Sequence, residues 1–256
     1  MTRLQWIVIG SSLLFFALLY FGFDTKPSQQ KQIEASRELA KESTDISILM
    51  QSAKDKLDAQ TLNSIRILEQ QLDLSDEDSL KVETFKKLSG AWYRSEQLAI
   101  AGYYAEEAAK VEDLEESWSI AGTTYAICTQ RSADNKVRQY CTNRAFKAFE
   151  NAISINPDNV QHKVNLALVH LETQNPMTGI QMLRNLNQEN PNNVLVLMTL
   201  ARQAIRTNQL ERASERLLKV LEVEKNNREA ACLLTDVYTQ LQQNDKIQVY
   251  KSICQS

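Results

Sequence analysis

An all-α chain is what this sequence predicts: helix-turn-helix units stacked into an α-solenoid behind an N-terminal transmembrane helix. Three observations predict it. Gly 6 and Pro 4 are too few turn residues, in 256, to serve a many-stranded sheet, so long helices with short connections become the default. Pro157 and Pro191 stand 34 residues apart, each preceded by Asn and followed by an Asn-containing turn ("NPDN", "NPNN"), which is the period of a two-helix unit. Leu4 to Phe23 runs without a charged residue, and a helix of that length spans roughly 30 Å of hydrocarbon. With 43% hydrophobic residues the chain can bury a sizeable core as one or two domains.

The first element is the membrane segment 4–23. Cleavage as a signal peptide needs small residues before the cut, whereas "LLYFGFDTK" offers only Gly22 among bulky neighbours and has no lipobox-like cysteine nearby, so the segment reads as an uncleaved anchor. Orientation is two-sided. Only Arg3 precedes the segment while Lys26, Lys31, Arg37 and Lys41 follow it, and a literal count keeps the remainder in the cytosol. Against that, long downstream domains translocate largely regardless of charge, and a short tail before an apolar run is the layout of a signal anchor with its tail inside. The second reading is the expectation here: residues 24–256 outside the cytoplasm.

Residues 24–32 are polar and contain Pro27, a short linker. N-terminal helices are expected over 33–78. Leu62, Ile65, Leu68 and Leu72 recur at spacings of three and four after Asp58, a capping residue, which predicts an amphipathic helix with one buried face. "SDED" at Ser75 to Asp78 predicts a helix start, with a capping hydroxyl and acids where the macrodipole favours them.

From there the 34-residue period governs. After Pro157 and Pro191 the next mark falls on Lys225 in "EKNN", and between the marks stand "NLAL" at Asn165, "TLAR" at Thr199 and "LLTD" at Leu233. Trp118, Ala121, Gly122 and Tyr125, then Ala145, Phe149, Ala152 and Pro157, follow the order W-x2-L-G-x2-Y, A-x3-F-x2-A, P with one replacement, Ala121 for Leu. Leu166 and Ala167 with Gly179, Leu183 and Leu186 repeat the scheme, as do Leu200 and Ala201 with Ala213, Leu217 and Val220. An upstream unit is weaker (Leu88, Trp92, Ala101, Ala105, Ala108), and the last keeps Leu234 and Tyr238 before departing from the pattern. In these registers residues 79–256 resemble the tetratricopeptide repeat. The resemblance implies a right-handed α-solenoid of units at about 82–113, 115–157, 158–191, 192–225 and a capping unit 226–256. It also implies structural roles for the motif residues: small ones let helices approach, and large ones fill the space between units.

One unit is too long. In the family pattern the tyrosine and the following alanine stand about nine positions apart, but Tyr125 and Ala145 stand 20 apart, leaving about eleven extra residues with Cys128 on one side and Cys141 on the other. A disulfide there would staple the neck of a projecting loop, in an oxidising compartment only. The alternative is two reduced, unrelated thiols. Cys232 and Cys254 are harder to pair, Cys254 falling at a small-residue position where a buried thiol serves as well as alanine.

Chemistry is otherwise sparse. A balance of 29 basic against 32 acidic residues gives no basic footprint for nucleic acid. His162 and His170 share a helix without a third ligand or a CxxC, so no metal site is expected, and His170 at a tyrosine position reads as core. No Gly-rich phosphate loop and no G-x-S-x-G is present, so no catalytic residue, cofactor or small-molecule substrate is expected. Binding of protein partners remains. In tetratricopeptide proteins the first helices line a concave surface, and the resemblance places Ser119 and Thr123, then Gln161, Val164, Asn165, Leu168 and Leu171, then Leu195, Met198, Arg202 and Ile205 on it. Such a surface suits an extended segment or a helix of another protein, with Arg202 available for a carboxylate. The clamp some family members use for chaperone tails needs paired Lys and Asn with a further Lys and Arg at inward positions. Only Asn165 is so placed, and that function is not carried over. The expectation is a single-pass adaptor or scaffold of a bacterial inner membrane with a periplasmic domain, similar to envelope proteins of the family that attend secretion, envelope assembly or cytochrome c maturation. The alternative is a structural subunit whose own N-terminal helices fill the groove.

Overall fold

The computed structural model describes residues 46–255, and every regular element among them is a helix. The expected anchor at 4–23, the linker at 24–32 and residues 33–45 lie outside the described residues. Among those described, no helix is long and apolar enough to cross a membrane. The chain divides into two compact units, 1–51 and 52–256. The described part of the first, 46–51, is helical.

The second unit contains α1 (Ala59–Asp73), α2 (Asp78–Arg94), α3 (Leu98–Glu112), α4 (Glu115–Arg131), α5 (Asn135–Ile155), α6 (Val160–Leu171), α7 (Pro176–Glu189), α8 (Val194–Arg206), α9 (Leu210–Val223), α10 (Arg228–Gln240) and α11 (Asn244–Gln255). Each packs chiefly on its neighbours in sequence, α2 with α3, α4 with α5, and so on to α10 with α11. The starts Val160, Val194 and Arg228 recur every 34 residues, and so do Pro176, Leu210 and Asn244.

Capping chemistry sets these starts. Asp58 accepts from the Gln60 and Thr61 amides at 3.0 and 2.9 Å and opens α1, whose Ile65 is buried with Leu62, Leu68 and Leu72 half-buried beside it. The periodic Asn residues do the same work: Asn159, Asn193 and Asn227 accept from Gln161, Val196 and Ala230 amides at 3.0, 3.1 and 2.9 Å, so each Asn-containing turn is the N-cap of the next first helix. α2 does begin in the acidic stretch, but its N-cap is Glu77 with no side-chain cap bond, and Ser75 lies outside it. Within three units the first helix ends on a left-handed residue, Glu96, Asn208 or Gln242. The following amides of Gln97, Gln209 and Gln243 reach back to the carbonyls of Trp92, Ala204 and Tyr238, the Schellman arrangement.

The long unit is not interrupted by a loop. The extra residues lengthen both helices, α4 to 17 and α5 to 21 residues against 12 to 14 in α6 to α9, and only 132–134 connect them. The stretch holds no Gly or Pro to end a helix early. Asp134 caps α5 through the Lys136 and Val137 amides at 2.7 and 3.1 Å, and Arg138 Nη2 donates to the Ser132 carbonyl at 2.7 Å, closing the turn. Cys128 and Cys141 are bonded across this hairpin, Cα to Cα 5.9 Å. Cys232 and Cys254, the pair harder to assign from the sequence, are bonded as well, 4.7 Å between Cα atoms. The antiparallel pairing of α10 with α11 brings the two residues opposite each other despite 22 residues of separation.

Candidate protein-binding groove

The first helices α2, α4 and α6 frame two adjoining hollows, one on each side of α4. Between α4 and α6 lies a hollow of about 450 Å³, lined by Ser119, Thr123, Ala126, Ile127 and Gln130 on one helix and Gln161, Asn165, Leu168 and Glu172 on the other. Between α2 and α4 lies one of about 440 Å³, with Lys86, Gly90, Tyr93 and Arg94 facing Ser117, Ile120 and Thr124. Tyr93 and Ile120 are 41% and 50% exposed, which leaves two large apolar side chains open beside cationic ones. No residue of 52–73 lines either hollow.

Of the residues expected on the concave surface, Ser119, Thr123, Gln161, Asn165 and Leu168 meet in the α4–α6 hollow. Gln161 Nε2 donates to Asn165 Oδ1 at 2.9 Å, so the amides at its edge are already ordered. Val164, Leu171 and Met198 are core instead, exposed by 0%, 7% and 4%. Val164 and Leu171 pack with Ala167, Leu183 and Leu186, while Leu195 and Leu168 lean half-buried on the same cluster. Met198 and the half-buried Ile205 belong to the following cluster. Arg202 is exposed but engaged with Glu229 of α10, so it is not held open for a carboxylate. Tyr93 and Ile120 escaped the sequence reading because the unit around α2 follows the motif too loosely to place its first-helix face, though an isoleucine between Ser119 and Ala121 is a signal of the right kind.

Two polar networks support the walls. Glu106 of α3 is buried, yet it accepts from the Tyr125 hydroxyl at 2.8 Å and from Arg144 at 3.0 Å, with Lys110 also 3.0 Å away. A buried carboxylate without such partners would be costly. Burial, with the Glu106 charge beside it, pushes the Tyr125 hydroxyl well above its ordinary value. The second network begins at Glu115, first residue of α4. Its carboxylate accepts from Asn156 Nδ2 at 2.8 Å and from Asn159 Nδ2, and it meets His162 Nε2. These partners, Asn156 foremost, hold its pKa down to about 2. His162 therefore serves the joint between α4 and the α5–α6 turn. His170 stacks on Phe146, ring centroids 4.4 Å apart, and burial lowers its pKa. Among the described residues no three His, Cys, Asp or Glu are grouped as a metal would need.

A family model, "Tetratricopeptide repeat", matches residues 178–237, from α7 into α10. Residues 178–237 belong to the tetratricopeptide-repeat family. No curated protein sequence matches it. Among solved structures, a tetratricopeptide repeat protein from Parabacteroides merdae is 13% identical with a TM-score of 0.51, covering 80% of this chain and 76% of that one. At that identity the likeness is one of fold. A crystal structure of MamA is 17% identical, TM-score 0.45, over 63% of this chain and 86% of its own. YrrB, described as a TPR protein with an unusual peptide-binding site, is 14% identical, TM-score 0.40, over 73% and 89%.

Proposed function

We propose that this repeat protein is a membrane-anchored scaffold that holds an extended or helical segment of a partner protein along α2, α4 and α6. The observation that carries the reading is the pair of adjoining hollows on either side of α4, with Tyr93 and Ile120 exposed in the α2–α4 one. Apolar anchors flanked by Arg94 and the amides of Gln161 and Asn165 suit a peptide that offers apolar side chains and backbone acceptors. Binding is favoured over catalysis because Glu106, the buried carboxylate behind the hollows among the described residues, is committed to three partners. The apolar run 4–23 supports an anchor in a bacterial inner membrane, and the two disulfides support a periplasmic side for the repeats, since thiols in the cytosol are kept reduced.

The test uses the full chain in native membranes, with a photo-crosslinking residue placed at Thr123 in the groove or at Lys147 on the exposed side of α5. Partner adducts should form from position 123, be absent from 147, and disappear when Ile120→Glu is added. Equal adducts from both positions, or none from 123, would overturn the groove.

A further inference from the structure

A third hollow lies away from the groove, where α7 and α9 flank α8. It measures about 380 Å³, and four of its lining residues, Arg184, Arg206, Arg212 and Arg216, are arginines while none is acidic. Arg206 is neutralised by Glu172 at 3.1 Å. The other three are not: among the described residues Arg212 donates only to Gln209 Oε1 at 2.7 Å, Arg216 only to the Leu200 carbonyl at 3.0 Å, and no carboxylate pairs with Arg184.

We infer that this hollow is an anion site that takes an acidic peptide segment of a partner, one in which a carboxylate lies next to a large apolar side chain. Three guanidinium groups of like charge around one cavity repel one another, and a protein whose net charge is -3 has acids enough elsewhere to have paired them. Burial, then Arg212 and Arg184, depress the Arg216 pKa, while Glu215 opposes them only in part. A bound anion removes that cost, and the planar fork of arginine accepts a carboxylate through two parallel bonds. The floor narrows the class of anion. Met177, Ile180 and Leu200 line it, Met177 61% exposed, so the ligand carries an apolar group beside its charge. Among the described residues no aromatic side chain lines the hollow, so a nucleobase would find nothing there to stack on.

The probe is a fluorescein-labelled hexapeptide of alternating leucine and glutamate, titrated into the full chain and followed by anisotropy. Arg184→Gln with Arg212→Gln, both at exposed positions, should weaken binding about tenfold or more, and glutamine in place of glutamate in the peptide should do the same. Added salt should weaken the native complex more than the variant's residual binding, which keeps Arg216. Ile120→Glu should leave this binding unchanged, so the site and the groove stand or fall separately. Equal affinity in the native chain and the double variant overturns the site, as does loss through Ile120→Glu alone. Binding of inorganic phosphate or phosphatidylglycerol vesicles with no binding of the peptide overturns the peptide assignment.

Discussion

A Cβ built on Gly179 would lie 2.4 Å from the carbonyl oxygen of Ala167 and 3.0 Å from the Leu171 side chain. That oxygen is part of α6 and cannot swing aside, so Gly179→Ala should destabilise the protein by about 1–3 kcal/mol, outweighing the roughly 0.5–1 kcal/mol that alanine gains in a helix. Gly90 is the contrast, its nearest neighbour being the mobile Arg94 Nη1 at 3.4 Å. There the propensity gain should stand alone, and Gly90→Ala should stabilise by about 0.5–1 kcal/mol. Urea midpoints that move the same way in both variants would remove close approach as the reason for Gly179. Such positions were legible, because Gly179, Leu183 and Leu186 follow from the motif register and all three are buried. The partner-facing residues were less so. In α8 six consecutive residues, Val196 to Ala201, are buried, which means that the helix is covered on every side there, and a spacing of three and four does not tell which narrow sector stays open. Glu115 shows a further residue-scale effect with a defined sign. Its pKa falls from an ordinary 4.5 to about 2 in the folded protein, so its contribution is present above pH 4.5 and is lost as pH falls from there toward 2. Glu115→Gln should flatten the acid side of the stability profile across that window, measured by urea midpoints on either side of it, and an unchanged slope would mean that Asn156, Asn159 and His162 do not favour the ionised form.

At the scale of the element, the two disulfides should behave differently. Cys128–Cys141 bridges a hairpin already fixed by fully buried Tyr125 and Phe149. Cys141→Ser should lower stability by up to about 3 kcal/mol, the chain-entropy value for a loop of this size, and leave the helices in place. α11 has no buried side chain, and Cys232–Cys254, the bond from Arg228 Nε to the Cys254 carbonyl at 3.0 Å and the tilted Tyr238–Tyr250 pair at 6.0 Å hold it against α10. Cys254→Ser should therefore accelerate hydrogen exchange along α11 while amides of α4 and α5 keep their rates. Unchanged exchange in α11 would show that ring and surface contacts hold it alone. The excess length of this repeat could be counted in the sequence, since Tyr125 and Ala145 are too far apart. Its conformation could not be read from that count. Helical extension wins over a loop because nothing between Ile127 and Asn143 breaks a helix except the three-residue turn that Asp134 and Arg138 close. Pairing of Cys232 with Cys254 needed α10 and α11 to be seen antiparallel, which the departing motif of the last unit hid.

Within residues 52–256 contacts run from each helix to the next, so stability should be distributed as a chain of neighbours and not as one core. Leu217 tests this. It is fully buried in the cluster formed by Leu197, Ala201, Ala213, Val220, Ala230 and Leu234, which joins α8, α9 and α10. Leu217→Ala should cost about 2–5 kcal/mol through lost burial and the cavity left behind. A single cooperative domain would spread that loss over every helix. In a neighbour-coupled array it falls on α8 to α11, whose amides should exchange faster, while α4 and α5, tied by Cys128–Cys141 and by the Glu106 network, keep their protection. Denaturant unfolding should then split into two phases where the native chain shows fewer, because the C-terminal repeats melt first. The two binding regions separate along the same line: crosslinking from Thr123 should survive Leu217→Ala, and the arginine hollow between α7 and α9 should lose its acidic peptide. Uniform acceleration of exchange from α2 to α11, or loss of both activities together, would mean that the repeats fold as one unit and that the groove depends on the C-terminal pairs it does not touch.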